Sequence, residues 1–161
     1  MPELHVCFVC SGNICRSPMA ALVFSAHLER EGLADRVRVS SGGTGPWHVG
    51  EPADARAVAT LEAHGYDGKH VATQVGEDHL GADLLLAADA GHLRDLRREL
   101  DDPSRVRLLR SFDPTAPEGA EVPDPYYGGD EGFEEVLAMI ERTVPGLLEW
   151  VRENLDAPHR A

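Results

Sequence analysis

The chain has 161 residues, of which 42% are hydrophobic and 27% charged, the proportions of an ordinary globular protein of one domain, here spanning residues 1–161. It carries a net charge of −13, with 12 acidic and 3 basic residues packed into positions 113–161; a field of that sign opposes nucleic acid and anionic lipid as partners. No apolar run approaches the roughly 20 residues of a membrane helix, and three cysteines confined to Cys7, Cys10 and Cys15 are not a secreted disulfide framework.

The start, Met1-Pro2-Glu3-Leu4-His5, lacks a basic segment ahead of its apolar stretch, so no signal peptide is expected and a reducing, cytoplasmic setting fits. Export without a signal peptide stays open. Leu4–Val9 is short, apolar and β-branched, a buried strand. Ser17 and Pro18 read as N-cap and first residue of a helix that runs through Leu22 and Val23 to a stop at Gly32. Val37 and Val39 alternate with Arg36 and Arg38 as a second strand, and Ser41–Pro52 is a Gly/Pro-rich loop. A helix over Ala53–His64 ends at Gly65, a third strand spans Asp83–Ala88, a charged helix covers His92–Leu100, and Val106–Leu109 is a fourth strand. Ser111–Gly132, with four Pro and four Gly, is irregular, and Phe133–Leu155 is a last helix that Pro145 should kink or split. Such alternation predicts an α/β domain with a parallel sheet. A 22-residue irregular segment in a compact domain usually has a function.

The chemistry concentrates in Cys10-Ser11-Gly12-Asn13-Ile14-Cys15-Arg16-Ser17-Pro18, at a strand-to-helix turn. Five residues between Cys10 and Arg16 suffice to wrap backbone N–H groups around a tetrahedral oxyanion, and the helix adds its positive N-terminal end. Gly12 permits positive φ and close approach, and Asn13 tolerates the left-handed region. Arg16 offers a planar fork for two phosphate oxygens. Cys10 sits where the same positive field favours a thiolate nucleophile. Ser17 can cap the helix and donate to the Cys10 sulfur when it leaves. No Lys follows a Gly where a nucleotide-binding P-loop needs one. A bare Cys-x5-Arg is a weak signal; the strand before it and Ser-Pro after it make this one specific.

This segment resembles the signature of the low-molecular-weight protein-tyrosine phosphatases. So do Ser40-Ser41-Gly42-Gly43-Thr44, where Gly42 replaces the usual Ala and should loosen a turn, His70-Val71-Ala72-Thr73-Gln74, Ala88-Asp89 and Asp124-Pro125-Tyr126-Tyr127. The resemblance spans nearly the whole chain in order. It implies a four-stranded parallel sheet of order 2-1-3-4, helices on both faces and a phosphate-binding loop after strand 1, at the carboxyl edge where open α/β sheets place ligands. It implies hydrolysis of protein phosphotyrosine through a cysteinyl-phosphate, with Cys10 as nucleophile, Arg16 binding phosphate and Asp124 as general acid and base. Loop residues Ser11, Gly12, Asn13, Ile14, Cys15 and Ser17 would hold the phosphate. Trp47 and His48 would form one wall for the tyrosyl ring and Tyr126 and Tyr127 the other, although an exposed-loop Trp also commonly covers a core edge. Ser41 and His70 resemble loop supports, and His70 could equally be a surface residue.

The resemblance further suggests that Cys15 pairs with Cys10 on oxidation and that a tyrosine kinase acts on Tyr126 and Tyr127. Asp89 reads as structural, Cys7 as an inert core residue, and Asp113 is the next candidate for proton donor. No cofactor and no metal are expected, since the eight His show no zinc-like spacing. Three rival readings remain: an arsenate reductase of this fold, disfavoured because no cysteine follows Cys15; a protein-arginine phosphatase, disfavoured by Ile14, Tyr126 and Tyr127; and a non-catalytic phosphate-binding module, disfavoured by Cys10, Arg16 and Asp124 occurring together.

Overall fold

In the computed structural model, which describes residues 3–156, a central strand β1 (Leu4–Cys10) lies between β2 (Val37–Gly43) and β3 (Leu84–Ala87), and β4 (Val106–Leu108) flanks β3. The order is 2-1-3-4 and every pairing is parallel. Side chains of a strand alternate between faces, and here both faces are apolar. Leu4, Val6, Phe8 and Cys10 of β1, with Leu84 and Leu86 of β3, join the larger core layer; Cys7, Val9, Leu85 and Ala87 join the other. Helices α1 (Arg16–Arg30), α2 (Ala55–Ala63) and α5 (Asp130–Asp156) cover the first face. The second is covered by α3 (Glu77–Leu80) and α4 (Ala90–Arg98). Burying each large side chain stabilises by roughly 1.5–3 kcal/mol. Among the described residues no helix is long and apolar enough to cross a membrane.

Local chemistry sets the helix ends. After α1, Gly32 takes a positive φ of 71° while its N–H bonds the Glu29 carbonyl and the Leu33 N–H bonds that of Leu28. Gly65, at φ 85°, does the same after α2, with Tyr66 bonded back to Leu61. Both are Schellman closures, which need a residue at ease in the left-handed region.

Several elements differ from expectation. β2 does not stop before Ser41 but continues to Gly43, because Ser41, Gly42 and Gly43 pair with Phe8, Val9 and Cys10. Gly42 therefore lies in a strand, not a turn; a Cβ there would come within 2.9 Å of Val75 Cγ2, so its absence admits the segment around Val75. The four-residue α3 is too short to leave a periodic signal. The last helix begins at Asp130, and Pro145 does not split it. Pro145 removes one backbone hydrogen bond, while Val136, Leu137, Ile140, Val144, Leu147, Leu148 and Val151 keep the helix seated on the sheet. Gly146 beside it lets the Phe112 carbonyl pack where a Cβ would otherwise stand.

Candidate active site

The turn between β1 and α1 leaves the carboxyl edge of the central strand and enters the N-terminus of a helix. Its carbonyls are turned outward and occupied. Thr44 N–H bonds the Cys10 carbonyl at 2.9 Å, Gly45 N–H that of Ser11 at 3.2 Å, and Asp54 N–H that of Ile14 at 2.8 Å. His70 Nε2 bonds the Asn13 carbonyl at 2.7 Å. A planar trans peptide points its N–H opposite its C=O. The N–H groups of the same peptides therefore face the interior of the loop, as an oxyanion requires.

Asn13 takes a φ of 59°, the only non-glycine among the described residues with positive φ. Gly12, the other candidate for that conformation, does not need it. Its missing Cβ instead admits the His48 ring, whose Cδ2 lies 2.8 Å from where a Cβ would sit. The buried Asn13 amide is fully engaged: Nδ2 donates to Ser17 Oγ at 2.8 Å and Ser41 Oγ at 3.0 Å, and Oδ1 accepts from Thr73 N–H at 2.9 Å. Burial holds His70 below the usual imidazole range despite its bond to Asn13, so the neutral ring donates to that carbonyl.

Ser17 is not the N-cap. Cys15 occupies that position without a side-chain cap bond, and Ser17 lies inside the first turn. Its Oγ stands 3.0 Å from Cys10 Sγ, and its N–H donates to the same sulfur at 3.4 Å. The first N–H groups of a helix have no partner within it, so one is available to the sulfur. Burial, with Asp54 and Cys10 nearby, pushes the Cys15 thiol up to about 12, and burial pushes Cys7 to about 11. Both remain thiols at neutral pH.

Arg16 is buried, and its guanidinium meets three residues from two distant segments. Nη1 donates to Asp89 Oδ2 at 3.2 Å and to the Val122 carbonyl at 3.1 Å, while Nη2 lies 3.6 Å from Asp124 Oδ2. Asp89 also caps α4 through the His92 N–H. Burial would raise the Asp89 carboxyl, but the His92 N–H, His92 and Arg16 together hold it below the usual carboxylate range.

His92 is a site neighbour that sequence reasoning missed. It is buried, its Nε2 lies 2.8 Å from Ser11 Oγ, and its Nδ1 lies 3.2 Å from Asp89 Oδ1 without hydrogen-bond alignment. Burial lowers its pKa, with Asp89 opposing. The spacing of Asp89 and His92, cap and third helical residue, was the available signal; placing the helix start at His92 concealed it.

Above the loop opens a cleft of about 470 Å³. Cys10, Ser11, Gly12, Ile14, Cys15 and Arg16 form its base, Trp47 and His48 one side, and Asp124, Tyr126 and Tyr127 the other. Asn13, Ser17, Ser41 and His70 do not line it; their bonds place them behind the loop. Trp47 is 66% exposed, so it covers no core edge. The walls approach where the His48 and Tyr126 rings lie 6.3 Å apart, and Tyr126 meets Tyr127 edge-on at 5.1 Å. Asp124 Oδ1 accepts from the Tyr126 N–H at 3.0 Å, capping the short 3-10 turn Pro125–Tyr127. Asp113 lies elsewhere: it is buried against Thr115 and Arg142 of α5 and does not reach the cleft. The arrangement can hold a tetrahedral oxyanion over a sulfur nucleophile, with a carboxyl at its rim and aromatic walls for a flat substituent.

Residues 5–157 match the family model described as low molecular weight phosphotyrosine protein phosphatase. The chain is 57% identical over 153 residues to low molecular weight protein-tyrosine phosphatase A of Mycobacterium tuberculosis, covering 94% of each chain. It is 53% identical over 157 residues to a low molecular weight protein-tyrosine-phosphatase of Streptomyces coelicolor, covering 94% of this chain and 96% of that one. A crystal structure of protein tyrosine phosphatase from Entamoeba histolytica with Hepes in its active site superposes with a TM-score of 0.88 at 29% identity, covering 93% and 97% of the two chains.

Proposed function

Because this chain belongs to the low-molecular-weight phosphotyrosine protein phosphatase family, we propose that it hydrolyses phosphotyrosine in proteins through a cysteinyl-phosphate intermediate. The Cys10 thiolate attacks phosphorus, the bond to the tyrosyl oxygen breaks, and the electron pair departs on that oxygen. A phenol has a pKa near ~10, so its oxygen leaves far better when protonated. Asp124, at the rim, supplies that proton and then, as carboxylate, takes one from the water that attacks the phosphocysteine. The P–S bond breaks, the Ser17 hydroxyl donates to the departing sulfur, and inorganic phosphate leaves. Inward N–H groups and the Arg16 fork stabilise the charge of both transition states.

The observation that carries this reading is the contact of Cys10 Sγ with the hydroxyl and N–H of Ser17 at 3.0 and 3.4 Å, at the base of a cleft that also holds Arg16 and Asp124. Cys10→Ser should abolish turnover while still capturing phosphotyrosine proteins from cell extract, because the cradle remains and a hydroxyl is a far poorer nucleophile. Turnover by Cys10→Ser, or no phosphoprotein captured, would contradict it. Phosphoarginine serves as the counter-substrate: Ile14 and the aromatic walls suit a phenyl ring, and it should be a poor one.

On this reading residues 1–161 act as one catalytic domain, in the cytoplasm. Tyr127, 87% exposed beside Tyr126, is accessible to a tyrosine kinase, which we include as a further partner acting on both.

A further inference from the structure

We propose that Arg56 is a positioning residue for Asp124, strapping the acid-bearing turn to α2 and, through Asp54, to the cysteine loop. The proposal rests on the assignment of Asp124 as proton donor.

The segment that carries Asp124 is anchored at both ends by side chains from elsewhere. Upstream, the Val122 N–H bonds the Ala88 carbonyl at 2.8 Å, Arg16 Nη1 bonds the Val122 carbonyl, and Arg110 Nη1 bonds that of Glu121 at 3.0 Å. Downstream, the turn Pro125–Tyr127 bonds mainly to itself: Tyr126 N–H to Asp124, and Gly128 N–H to the Pro125 carbonyl. Arg56 joins this turn to another element. Its Nη2 donates to the Tyr126 carbonyl and its Nη1 to that of Gly128, each at 3.0 Å.

The guanidinium is itself immobilised. Nε and Nη2 form a fork on the two oxygens of Asp54, each at 3.0 Å, and its carbon stands 4.7 Å over the Phe133 ring and 5.7 Å over that of Tyr126. Asp54 caps α2 through the Arg56 N–H at 2.8 Å, and its own N–H bonds the Ile14 carbonyl at 2.8 Å. A continuous path thus runs from the phosphate loop, through the start of α2, to the acid turn. Only a planar fork serves a carboxylate and two carbonyls at once while placed over an aromatic ring; a lysine ammonium does not. Asp124 is the cap of the strapped turn, so any rotation of the turn swings its carboxyl relative to the leaving oxygen. Releasing the strap should therefore impair proton delivery more than attack on phosphorus.

The test is a kinetic double-mutant cycle on the whole chain. kcat/KM, which reports the steps up to cleavage of the P–O bond and not the shared hydrolysis of the phosphocysteine, is measured for phenyl phosphate, which needs the proton, and for p-nitrophenyl phosphate, which needs it much less. Arg56→Met keeps an apolar stem over Phe133. It should lower kcat/KM about tenfold on phenyl phosphate and less than about twofold on p-nitrophenyl phosphate, with Arg56→Lys in between. In the Asp124→Asn background, Arg56→Met should change the phenyl phosphate rate less than about twofold, because both substitutions remove one function. Equal losses on the two substrates, or an undiminished loss in that background, would overturn the strap alone. If Asp124→Asn itself loses rate equally on both substrates, the acid assignment falls and the strap falls with it. Melting curves accompany each variant, and should Arg56→Met fail to fold, Arg56→Lys carries the same comparison.

Discussion

Ser11 and Arg16 stand at the two ends of the cysteine loop, yet two residues from one helix start hold both. His92 meets Ser11 at 2.8 Å, and Asp89 meets Arg16 at 3.2 Å. The pairing of a cap with the third helical residue lets one turn of α4 brace two points of the phosphate cradle. His92→Ala removes the Ser11 contact and leaves Arg16 in place. A neutral hydrogen bond contributes about 0.5–1.5 kcal/mol net, so the inhibition constant for inorganic phosphate should rise about 2–10-fold. An unchanged constant would mean the Ser11 contact does not support the cradle. Asp124 and Asp113 make the complementary point. Each accepts an N–H two residues on and precedes a proline, and only Asp124 opens onto the cleft.

At the scale of elements, the turn that carries Asp124 and the cysteine loop are both short irregular pieces held by regular ones. The loop's shape is set by Ser41 of β2, by Thr44 and Gly45 just after it, by Thr73 and by Asp54 at the start of α2, which bond its outward groups. The turn's shape is set by Arg56, and its approach by Arg16 and Arg110. If the turn delivers a proton, Asp124→Asn should slow phenyl phosphate hydrolysis by about 10²–10⁴-fold, the usual worth of general acid catalysis. The loss should be clearly smaller for p-nitrophenyl phosphate. A leaving-group series of kcat/KM values measured at one pH decides it: identical losses throughout would reduce Asp124 to a wall of the cleft.

Taken whole, the molecule places several titratable groups where burial controls them. Burial is the leading cause that lowers His5, His27, His70 and His92 below the usual imidazole range. Their unfolded value is near ~6.5. Between each folded value and 6.5 the unfolded chain binds more protons, so stability from the neutral rings is complete above about 6.5 and is lost as pH falls through the folded values. Asp113 behaves similarly lower down. Burial raises it, but the Thr115 hydroxyl and N–H and Arg142 outweigh that and leave it lowered; its contribution is present above ~3.9 and lost as pH falls through its folded value. In high salt, which screens the net charge of −13, Tm should fall from pH 7 to 5 and again below about 4. A flat Tm from pH 7 to 5 would show that the four rings protonate without cost to the fold.

Sequence alone determined the parallel α/β plan, the two glycine helix stops and the cysteine loop, because these are short-range matters. A short continuous apolar run declares a buried strand, a glycine at C′ closes a helix, and nine contiguous residues hold the cysteine, the arginine fork and the anion cradle together. Within that stretch the residue types were legible, while the backbone detail was not: Asn13 and not Gly12 takes the positive φ, and Cys15 and not Ser17 is the cap. Tertiary structure decided that Gly42 extends β2 beneath Val75 and that Pro145 stays within α5, and of the two roles the sequence offers Ser17 it kept the contact with Cys10 and not the helix cap. It also brought His92 to Ser11 across 81 positions and Arg56 to Tyr126 across 70. Those contacts follow from which helix starts and loops open at one edge of the sheet. Strand order sets that edge, and no local period records which distant polar side chain will meet which.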